Sequence, residues 1–485
     1  MSNNIENEVN DEVYYGIVPV LKEEKLYNGM DIFIILSGIS IATWCYTHGG
    51  YLGKTMGIKA AVLNTFCTIS LASVFVILVC VIATRLGTDI WVYQRTILGR
   101  VGCNIFLLAF FAATWGWYAI NAKIFGSSMA KLITVAGINV SAVGETLLAL
   151  LCVLCGWYVA CKGPIAVRRT NKIMVPCLFA IGIILLIMVF SRWSIGELLA
   201  MQPVNPVKST WASYILIAEW NLAYLFAWYP SLGALPRLCK TERNSYWGSV
   251  AGFGITLAFF VCIGAVAGLA LSSIGVVSTD PTDWLITLGG PALGVLSLIL
   301  VGFANISTAS AGTYSHVLSS KIIKPDMKYW KLATLWCIWC GVLVCWGGIW
   351  DNYTVFLAII GTMAAPAVGL LITDFFIIRK GKVSMKHLYG VDDPDSCTFT
   401  GGFNLVGFGS LVMGIIAYFA VYDPFNSVAR SVVFNYTTAT LLAAVVASVT
   451  YFLLSRIPAV RSYMKLDNYE GAISSGIIAE ETAGQ

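Results

Sequence analysis

Long apolar segments separated by short polar ones follow one another along most of the chain. Twelve of these segments are long enough for an α-helix to cross the hydrocarbon core of a bilayer, which takes roughly 20 residues. The predicted spans lie at approximately 30–52, 58–84, 101–127, 143–161, 173–192, 211–235, 247–275, 290–319, 331–350, 353–378, 403–422 and 433–455. The pattern predicts an all-α polytopic membrane protein with twelve transmembrane helices.

Two of the predicted spans are interrupted. The first contains Gly49 and Gly50, and the sixth contains Pro230 and Gly233. Broken helices expose backbone carbonyls at membrane depth, which is tolerated where they line a cavity or bind a solute. Because the two spans are five helices apart, the pattern predicts a five-plus-five inverted repeat with broken first and sixth helices. The corresponding division is a tail of 1–28, a transporter domain of 29–455 with repeats at 29–192 and 211–378 and extra helices at 403–455, and a tail of 456–485.

Composition and charge agree with a membrane location. Hydrophobic residues make up 58% of the chain and charged residues 11%, whereas soluble domains carry about a quarter charged residues. Basic side chains gather in alternate loops, such as Arg168 and Arg169 or Arg379 and Lys380. Since cytoplasmic loops are rich in Lys and Arg, we expect both termini in the cytoplasm and the protein in the inner or plasma membrane.

Several function classes lack support in the sequence. There is no Gly-rich phosphate loop, no basic patch for nucleic acid, and no soluble region large enough to house an enzyme. A channel is disfavoured because no repeated selectivity-filter sequence is present, and a receptor because no sizeable domain lies outside the membrane. We therefore expect that the protein is not an enzyme and has no cofactor. Its expected partners are the lipid bilayer, a small-molecule substrate and a coupling cation.

The predicted eighth span is dense in hydroxyl side chains, in FANISTASAGTYS at 303–315. Ala304, Ser307 and Thr308 have i, i+3 and i+4 spacing, so they share one face of a helix. Two interpretations are open. The four-residue spacing of Ala304, Thr308 and Gly312 allows close helix packing. Alternatively, adjacent hydroxyls and a carbonyl one turn earlier supply the hard oxygen ligands that a small cation prefers.

Aromatic residues accompany polar ones in the third and sixth spans. Trp117 and Asn121 are four residues apart and share a helix face, which suits a flat, hydrogen-bonding solute, although helix packing explains Asn121 equally well. The sixth-span aromatics are either interfacial or cavity-lining, and the helix interruption with Glu219 just before it favours a cavity wall. These aromatics include Tyr224, Phe226 and Trp228. His48 of the first span is expected near the outer interface.

Three segments resemble a known family, the nucleobase–cation symporters, which comprise the purine, cytosine, hydantoin and allantoin permeases. The tenth span, GTMAAPAVGLLITDFFIIRKGKV, is similar to the family's Gly…Pro…Gly…Asp-aromatic-Phe…Arg-x-Gly pattern. QRTILGRVG at 94–102 resembles the family's loop before the third span, and PSLGALPRLCKTERNSYWG resembles the stretch that leaves its sixth span. The likeness covers 25–455 and implies the five-plus-five fold and cation-coupled uptake of nucleobases or related compounds.

The resemblance also implies site residues. Ala304, Ser307 and Thr308 match the eighth-span part of the family's sodium site, and Ala42 and Cys45 fall at the first-span positions whose carbonyls complete that site. Trp117 matches the stacking tryptophan, and Asn121 stands where the family often has an amide. The second stacking ring comes from one of three candidates, with the register open: Tyr224, Phe226 or Trp228.

The chain departs from the family at positions that bear on the substrate. The family often has Asn where this chain has Ala309 and Thr313. Substrate hydrogen bonding is therefore expected to differ, with Asn305, Glu219 and Tyr46 as substitutes and Thr313 as a further contact.

The residues and the resemblance together predict a monomeric secondary active transporter. It would bring in a nucleobase or a related small planar heterocycle with a cation, sodium, by alternating access. The alternative is a proton-coupled carrier of an amine, amino acid or vitamin precursor on the same fold, with Glu219 as the titrating group.

Overall fold

The computed structural model describes residues 17–206, 210–391 and 395–466. A helix is present in each of the twelve predicted spans. The helical bounds are Gly29–Ser40 with Thr43–Met56, Ile58–Leu86, Arg100–Val135, Ala142–Cys161, Pro164–Arg192, Thr210–Phe226 with Tyr229–Ala234, Glu242–Ser272, Ala292–Ser320, Tyr329–Trp346, Tyr353–Ile378, Leu405–Val421 and Ala439–Leu454. They are called the first to the twelfth span.

Not all of these helices are long. Within the described ranges, eight are long and apolar enough to cross a membrane, and the bent first span is a ninth. The eleventh and twelfth spans are shorter apolar helices. The protein is therefore a mostly helical, multi-pass membrane protein.

Shorter elements connect the spans. The largest are Ile90–Leu98, between the second and third spans, and Pro281–Gly289, which precedes the eighth. Between the eleventh and twelfth spans, Tyr422–Asp423 pairs antiparallel with Val428–Ala429. Of the two predicted tails, 1–16 and 467–485 lie outside the described residues.

Both predicted helix interruptions are present. The two halves of the first span are bent by 55° relative to each other. The sixth span breaks at Trp228, after Thr210–Phe226, and resumes as Tyr229–Ala234 with Pro230 in its first turn. Proline suits that position because its missing N–H has no partner in a first helical turn.

The broken first span packs closely on the seventh. A Cβ at Gly49 would collide with the backbone carbonyl of Val261, and one at Gly264 would collide with the backbone of Tyr46. Only glycine allows two main chains to approach this closely. The first span is thereby held against the seventh along one side, and its opposite side faces the third, sixth and eighth spans.

The connections rich in basic residues meet at one end of the molecule, here called the basic end. The main-chain N–H of Tyr27 donates to the Leu238 carbonyl at 2.9 Å. A guanidinium N–H of Arg95 donates to the Ile322 carbonyl at 2.6 Å. The first bond joins the segment before the first span to the connection after the sixth span, and the second joins the connections that follow the second and eighth spans.

The remaining connections gather at the opposite end. There the Lys54 ammonium, at the close of the first span, donates to the Val277 carbonyl. A cavity of about 650 Å³ opens at this end. Its lining comes from the first, sixth and tenth spans and several connections, and comprises Tyr51, Lys54, Thr55, Asn205, Leu216, Trp220, Val277, Ser278, Thr279, Trp350, Thr354, Asn426 and Ser427.

Candidate functional site

The hydroxyl-rich face of the eighth span meets the break in the first span. The Thr308 hydroxyl donates to the Gly38 carbonyl at 3.1 Å, and Gly38 lies in the last turn before the break. Ala304, Ser307 and Thr308 are buried. The Ser307 Oγ has no hydrogen-bond partner. Neutral oxygen atoms of two helices therefore converge at this point.

The first-span residue that contacts Thr308 differs from the two expected ones. The residues expected to face Thr308 through their carbonyls were Ala42 and Cys45, but its partner is Gly38, one turn earlier. The Ala42 carbonyl instead accepts from the Cys45 N–H at 2.9 Å, because Ala42 caps the helix Thr43–Met56. A helix break shifts the register of everything after it, which the sequence alone does not reveal.

Three tryptophans and a tyrosine from the first, third and sixth spans form a buried ring cluster, here called the aromatic cluster: Trp44, Trp117, Tyr224 and Trp228. The ring centroids of Trp117 and Trp228 are 5.7 Å apart at an interplanar angle of 33°. Trp44 and Trp228 are separated by 4.9 Å, and Trp117 and Tyr224 by 4.9 Å. The cluster closes the space between the broken helices.

Two amide side chains lie beside the aromatic cluster. The Asn121 Nδ2 donates to the Asn305 carbonyl at 2.9 Å. The Thr43 hydroxyl donates to the Asn305 Oδ1 at 2.9 Å. Asn121 Oδ1 and Asn305 Nδ2 remain without partners although both residues are fully buried. The first, third and eighth spans thus bring an unpaired acceptor and an unpaired donor next to Trp117.

Glu219 lies elsewhere. Its Oε2 accepts from the Thr440 N–H at 2.9 Å, and its Oε1 accepts from the Thr440 hydroxyl at 2.6 Å. Thr440 is in the first turn of the twelfth span, where a carboxylate is favoured by the unpaired N–H groups and the helix dipole. Glu219 therefore caps the twelfth span, and we remove it from the candidate substrate site.

Three other predicted substrate residues do not join the aromatic cluster in the described part of the chain. Tyr46 packs edge-on against Phe260 of the seventh span, with ring centroids 6.0 Å apart. Phe226 is two residues from both Tyr224 and Trp228, which turns it to another face of the helix. Thr313 is buried on the eighth span. The sixth-span rings that contact Trp117 are Tyr224 and Trp228.

His48 and Tyr353 form a cover over the aromatic cluster that the sequence did not reveal. His48 is fully buried, not interfacial as expected. Its ring stacks on Tyr224 at 4.4 Å, its Nε2 is 3.1 Å from the Asn221 Oδ1, and its Nδ1 is 3.1 Å from the Tyr353 hydroxyl. Tyr353 begins the tenth span and stacks on Tyr51, which lines the cavity at the opposite end.

Trp44 and Gly38 were also missed as site residues. Both flank the break in the first span, so their position next to an interruption was the one signal available. Distances between helices decide which flanking residue faces the site, and those distances are not encoded in local spacing.

Six buried polar atoms in this region have no hydrogen-bond partner. A buried donor or acceptor without a partner costs about 1–3 kcal/mol, so such atoms mark places where a solute completes the hydrogen bonding. The unpaired atoms here are Ser307 Oγ, Asn121 Oδ1, Asn305 Nδ2, the Tyr224 hydroxyl and the indole N–H groups of Trp117 and Trp228. The arrangement suits a planar molecule with both donors and acceptors next to a small cation.

Comparison with known proteins shows the family to which the chain belongs. A family model described as a permease for cytosine/purines, uracil, thiamine, allantoin matches residues 19–452. The purine-uracil permease NCS1 of Arabidopsis thaliana is 20% identical over 90% of this chain and 76% of its own length. The allantoin permease of Bacillus subtilis is 24% identical over 46% of this chain and 45% of its own length.

Solved structures share the fold. The structure of Mhp1, a nucleobase-cation-symport-1 family transporter, in a closed conformation with bromovinylhydantoin bound, has a TM-score of 0.74 to this chain. The two are 15% identical, and the match covers 93% of this chain and 99% of Mhp1. The inward-facing conformation of Mhp1 gives a TM-score of 0.73 at 17% identity, with 93% of each chain covered.

Proposed function

As a member of the family of permeases for cytosine and purines, uracil, thiamine and allantoin, this chain is a membrane transport protein and not an enzyme, and we propose that it couples uptake of a nucleobase or a related small planar heterocycle to sodium entry. It would act as a monomer in the inner or plasma membrane, with the basic end and both termini in the cytoplasm. The repeats would be 29–192 and 211–378, with 403–455 as additional helices.

The observation that carries the proposal is the contact between Thr308 and the broken first span. Its hydroxyl reaches the Gly38 carbonyl, and the neighbouring Ser307 Oγ is buried without a partner. Hydroxyl and carbonyl oxygens are ligands that a small hard cation accepts. Together with Ala304, one turn earlier, these residues are the proposed sodium ligands.

The substrate would bind against Trp117, with a sixth-span ring, Trp228 or Tyr224, on its other side. Entry of a planar molecule between them requires the rings to separate and gives it two aromatic faces. Asn121 Oδ1 and Asn305 Nδ2 then offer one acceptor and one donor to its edge. The relatives named for purine, uracil and allantoin transport support a substrate of this size and polarity.

Alternating access follows from where the cation and the substrate would bind. Both would lie at the breaks of the first and sixth spans, between the cavity at the opposite end and the packed connections of the basic end. Sodium would tie the first span to the eighth, and that arrangement would fix Trp44 and Asn305 for the substrate. Tyr353 would then close over the bound molecule from the opposite end.

Sodium is favoured over a proton by the chemistry of the proposed ligands. The Gly38 carbonyl and the Ser307 and Thr308 hydroxyls do not titrate in the physiological range. Glu219, on which the proton-coupled alternative depends, contacts the twelfth span instead. The residue named for the proton-coupled carrier is therefore accounted for by another contact, and that carrier becomes an outcome of the test.

The test is uptake into proteoliposomes that contain the purified protein. Radiolabelled cytosine, uracil, hypoxanthine, allantoin and thiamine are offered with a sodium gradient, with a pH gradient, or with neither. We expect one of them to accumulate only with the sodium gradient. Ser307→Ala and Thr308→Ala should each remove most of the sodium stimulation, since each deletes a proposed ligand.

Ser249→Ala is the matched control. Ser249 is also a buried membrane serine, but its hydroxyl already donates to the Ser245 carbonyl at 2.6 Å. It should leave sodium stimulation unchanged. Accumulation that follows the pH gradient and ignores sodium would select the proton-coupled alternative instead.

A further inference from the structure

The tenth and twelfth spans end in contact with each other at the basic end. The Tyr451 hydroxyl of the twelfth span donates to Asp374 Oδ1 of the tenth at 2.9 Å, and Asp374 Oδ2 accepts from the Arg379 guanidinium at 2.8 Å. The Tyr93 hydroxyl, from the helix Ile90–Leu98, donates to the same Oδ2. Asp374 thus holds the two span ends together and fixes the position of the residues that follow them.

A cavity of about 200 Å³ lies between these two span ends. Five basic side chains line it: Arg379, Lys380, Lys382, Arg456 and Arg461. In the part of the chain that the structure describes, no carboxylate is among the lining residues. The preference for basic residues in cytoplasmic loops explains why such residues are present at this end, but it does not require five of them to converge on one cavity.

The charge around this cavity is only partly compensated by the protein. Arg379 is paired with Asp374. The side chains of Lys380, Lys382 and Arg456 are exposed, and none of these three forms a salt bridge with a residue in 17–206, 210–391 or 395–466. Like charges around one cavity repel one another, and an anion bound there would relieve that repulsion.

The cavity also borders on surface that faces the lipid. Ile377, which lines it, is 50% exposed in the last turn of the tenth span. The Arg456 guanidinium lies over the Phe452 ring, 4.5 Å from the centroid, and Phe452 is one turn nearer the bilayer interior on the twelfth span. Beside it, Leu453 is 59% exposed. Positive charge for a headgroup and apolar surface for acyl chains therefore meet at one place.

We propose that this cavity binds the phosphate of an anionic phospholipid of the cytoplasmic leaflet, with the acyl chains against the exposed apolar side chains of the tenth and twelfth spans. Arginine and lysine are the side chains that proteins use to bind phosphate, and basic pockets between transmembrane helices on the cytoplasmic side suit such headgroups. The site shares no residue with the candidate site at the helix breaks, so it depends neither on the transported substrate nor on sodium. A lipid bound here would stabilise the contact between the tenth and twelfth spans.

The test is the thermal stability of the delipidated, detergent-solubilised full chain in choline chloride, without a transported substrate. Phosphatidylglycerol and phosphatidylcholine with the same acyl chains are titrated separately, and inorganic phosphate is titrated over the same concentrations. We expect phosphatidylglycerol to raise the Tm by a few degrees, because it stabilises the folded state to which it binds. The other two should leave the Tm unchanged, since phosphatidylcholine has no net negative charge and inorganic phosphate has no acyl chains.

Lys382→Gln/Arg456→Gln removes two exposed charges of the cavity and leaves the buried pair of Arg379 and Asp374 in place. The phosphatidylglycerol concentration at the half-maximal rise in Tm should increase about thirtyfold, the loss expected for two basic side chains that hold an anionic headgroup. Because both side chains are exposed, the variant should fold as the wild type does.

Lys162→Gln/Arg169→Gln is the matched control. It also removes one exposed lysine and one exposed arginine from a basic connection, but neither residue lines the cavity. Its half-maximal concentration should equal that of the wild type. An equal increase in both double variants would show general attraction to the basic end and overturn the site. A Tm that ignores phosphatidylglycerol, or that responds equally to inorganic phosphate, would overturn the lipid assignment and leave the proposed transport function untouched.

Discussion

Trp117 is the residue on which the proposed binding of substrate depends most. It contacts Trp44, Tyr224 and Trp228, with centroid separations of 5.9, 4.9 and 5.7 Å. It is one helical turn from Asn121, whose Oδ1 has no partner. A stacking ring and a hydrogen-bond acceptor on one helix face are what a planar heterocycle requires.

We expect Trp117→Ala to weaken binding of the transported heterocycle by about 2 kcal/mol, a factor of roughly 30 in Kd, since one stacking face is lost. Trp117→Phe should recover part of this loss because it retains an aromatic face. Equilibrium binding of the radiolabelled compound to purified protein measures both.

Trp115→Ala serves as the control for Trp117→Ala. Trp115 is equally buried on the third span but stacks on Trp336, with centroids 5.7 Å apart at 4°. Replacement of Trp115 should lower the Tm of the protein, because a buried contact is lost. It should change the Kd of the heterocycle by no more than a factor of about two, because Trp115 does not belong to the aromatic cluster. Equal effects of the two variants on Kd would show that Trp117 acts through stability alone.

Residue-level prediction from the sequence worked where spacing along one helix decides the outcome. Trp117 and Asn121 are four residues apart, and the structure places both beside the candidate site. It failed where partners come from another helix. Glu219 looked like a substrate group because a carboxylate in a membrane helix is rare, but its partner Thr440 is 221 positions away.

At the scale of elements, the connection between the second and third spans holds a buried carboxylate. Asp89 caps the helix Ile90–Leu98, with its Oδ1 accepting from the Trp91 N–H at 2.9 Å. Its Oδ2 accepts from the Ser319 hydroxyl at 2.6 Å. Asp89 therefore joins this helix to the last turn of the eighth span. At 1.5 Å rise per residue, Ser319 is roughly 17 Å along the helix from Thr308.

Burial raises the pKa of the Asp89 carboxyl to about 6, although the hydrogen bonds from Ser319 and the Trp91 N–H and the nearby Arg237 lower it. Since this value is above the ordinary 3.8, the folded protein binds more protons than the unfolded chain between about pH 4 and 7. The contribution of Asp89 to the free energy of unfolding therefore increases as the pH falls through that window, by about 1 kcal/mol from pH 7 to pH 5.

The prediction is that Asp89→Asn removes this component of the pH dependence. The amide keeps an acceptor oxygen but does not titrate, so the rise in Tm of the detergent-solubilised protein between pH 7 and pH 5 should be smaller than in the wild type. Glu242→Gln is the control, because Glu242 is 39% exposed in its pair with Arg85. An unchanged pH profile in Asp89→Asn would contradict the assignment.

The sequence predicted where the helices break, but it did not predict which residues beside each break contact other helices. Glycine and proline inside apolar segments indicated interruptions in the first and sixth spans, and both are present. The bend brings the Gly38 carbonyl, instead of that of the expected Ala42, to the Thr308 hydroxyl. It also carried His48 into the interior, where Asn221 and Tyr353 satisfy both of its ring nitrogens.

At the scale of the whole molecule, the bilayer explains why the architecture could be predicted. Every backbone polar group in the hydrocarbon core needs an internal partner, so apolar segments of sufficient length must be helices. The alternation of loops rich and poor in Lys and Arg then predicts which loops lie at the same end of the molecule. The packing of one helix against another depends on contacts such as Gly49 against Val261, which no pattern along a single segment specifies.

The two ends of the molecule differ in a way that suits alternating access. At the opposite end, the cavity of about 650 Å³ reaches Tyr51, which stacks on Tyr353 above the aromatic cluster. Towards the basic end, the sixth and eighth spans are in contact, with the Ser231 and Ser315 hydroxyls 3.2 Å apart. Transport would require the contacts at the basic end to open while the cover at the opposite end stays closed.

The most direct test of the central claim is the mutual dependence of sodium and substrate binding at equilibrium. The Kd of the transported heterocycle is measured on purified protein in sodium chloride and in choline chloride at equal ionic strength, and the sodium midpoint is measured with and without saturating heterocycle. We predict that sodium tightens heterocycle binding by about tenfold and that the heterocycle tightens sodium binding by the same factor, because the coupling free energy is shared. A heterocycle Kd that is the same in sodium and in choline would contradict sodium coupling through this site.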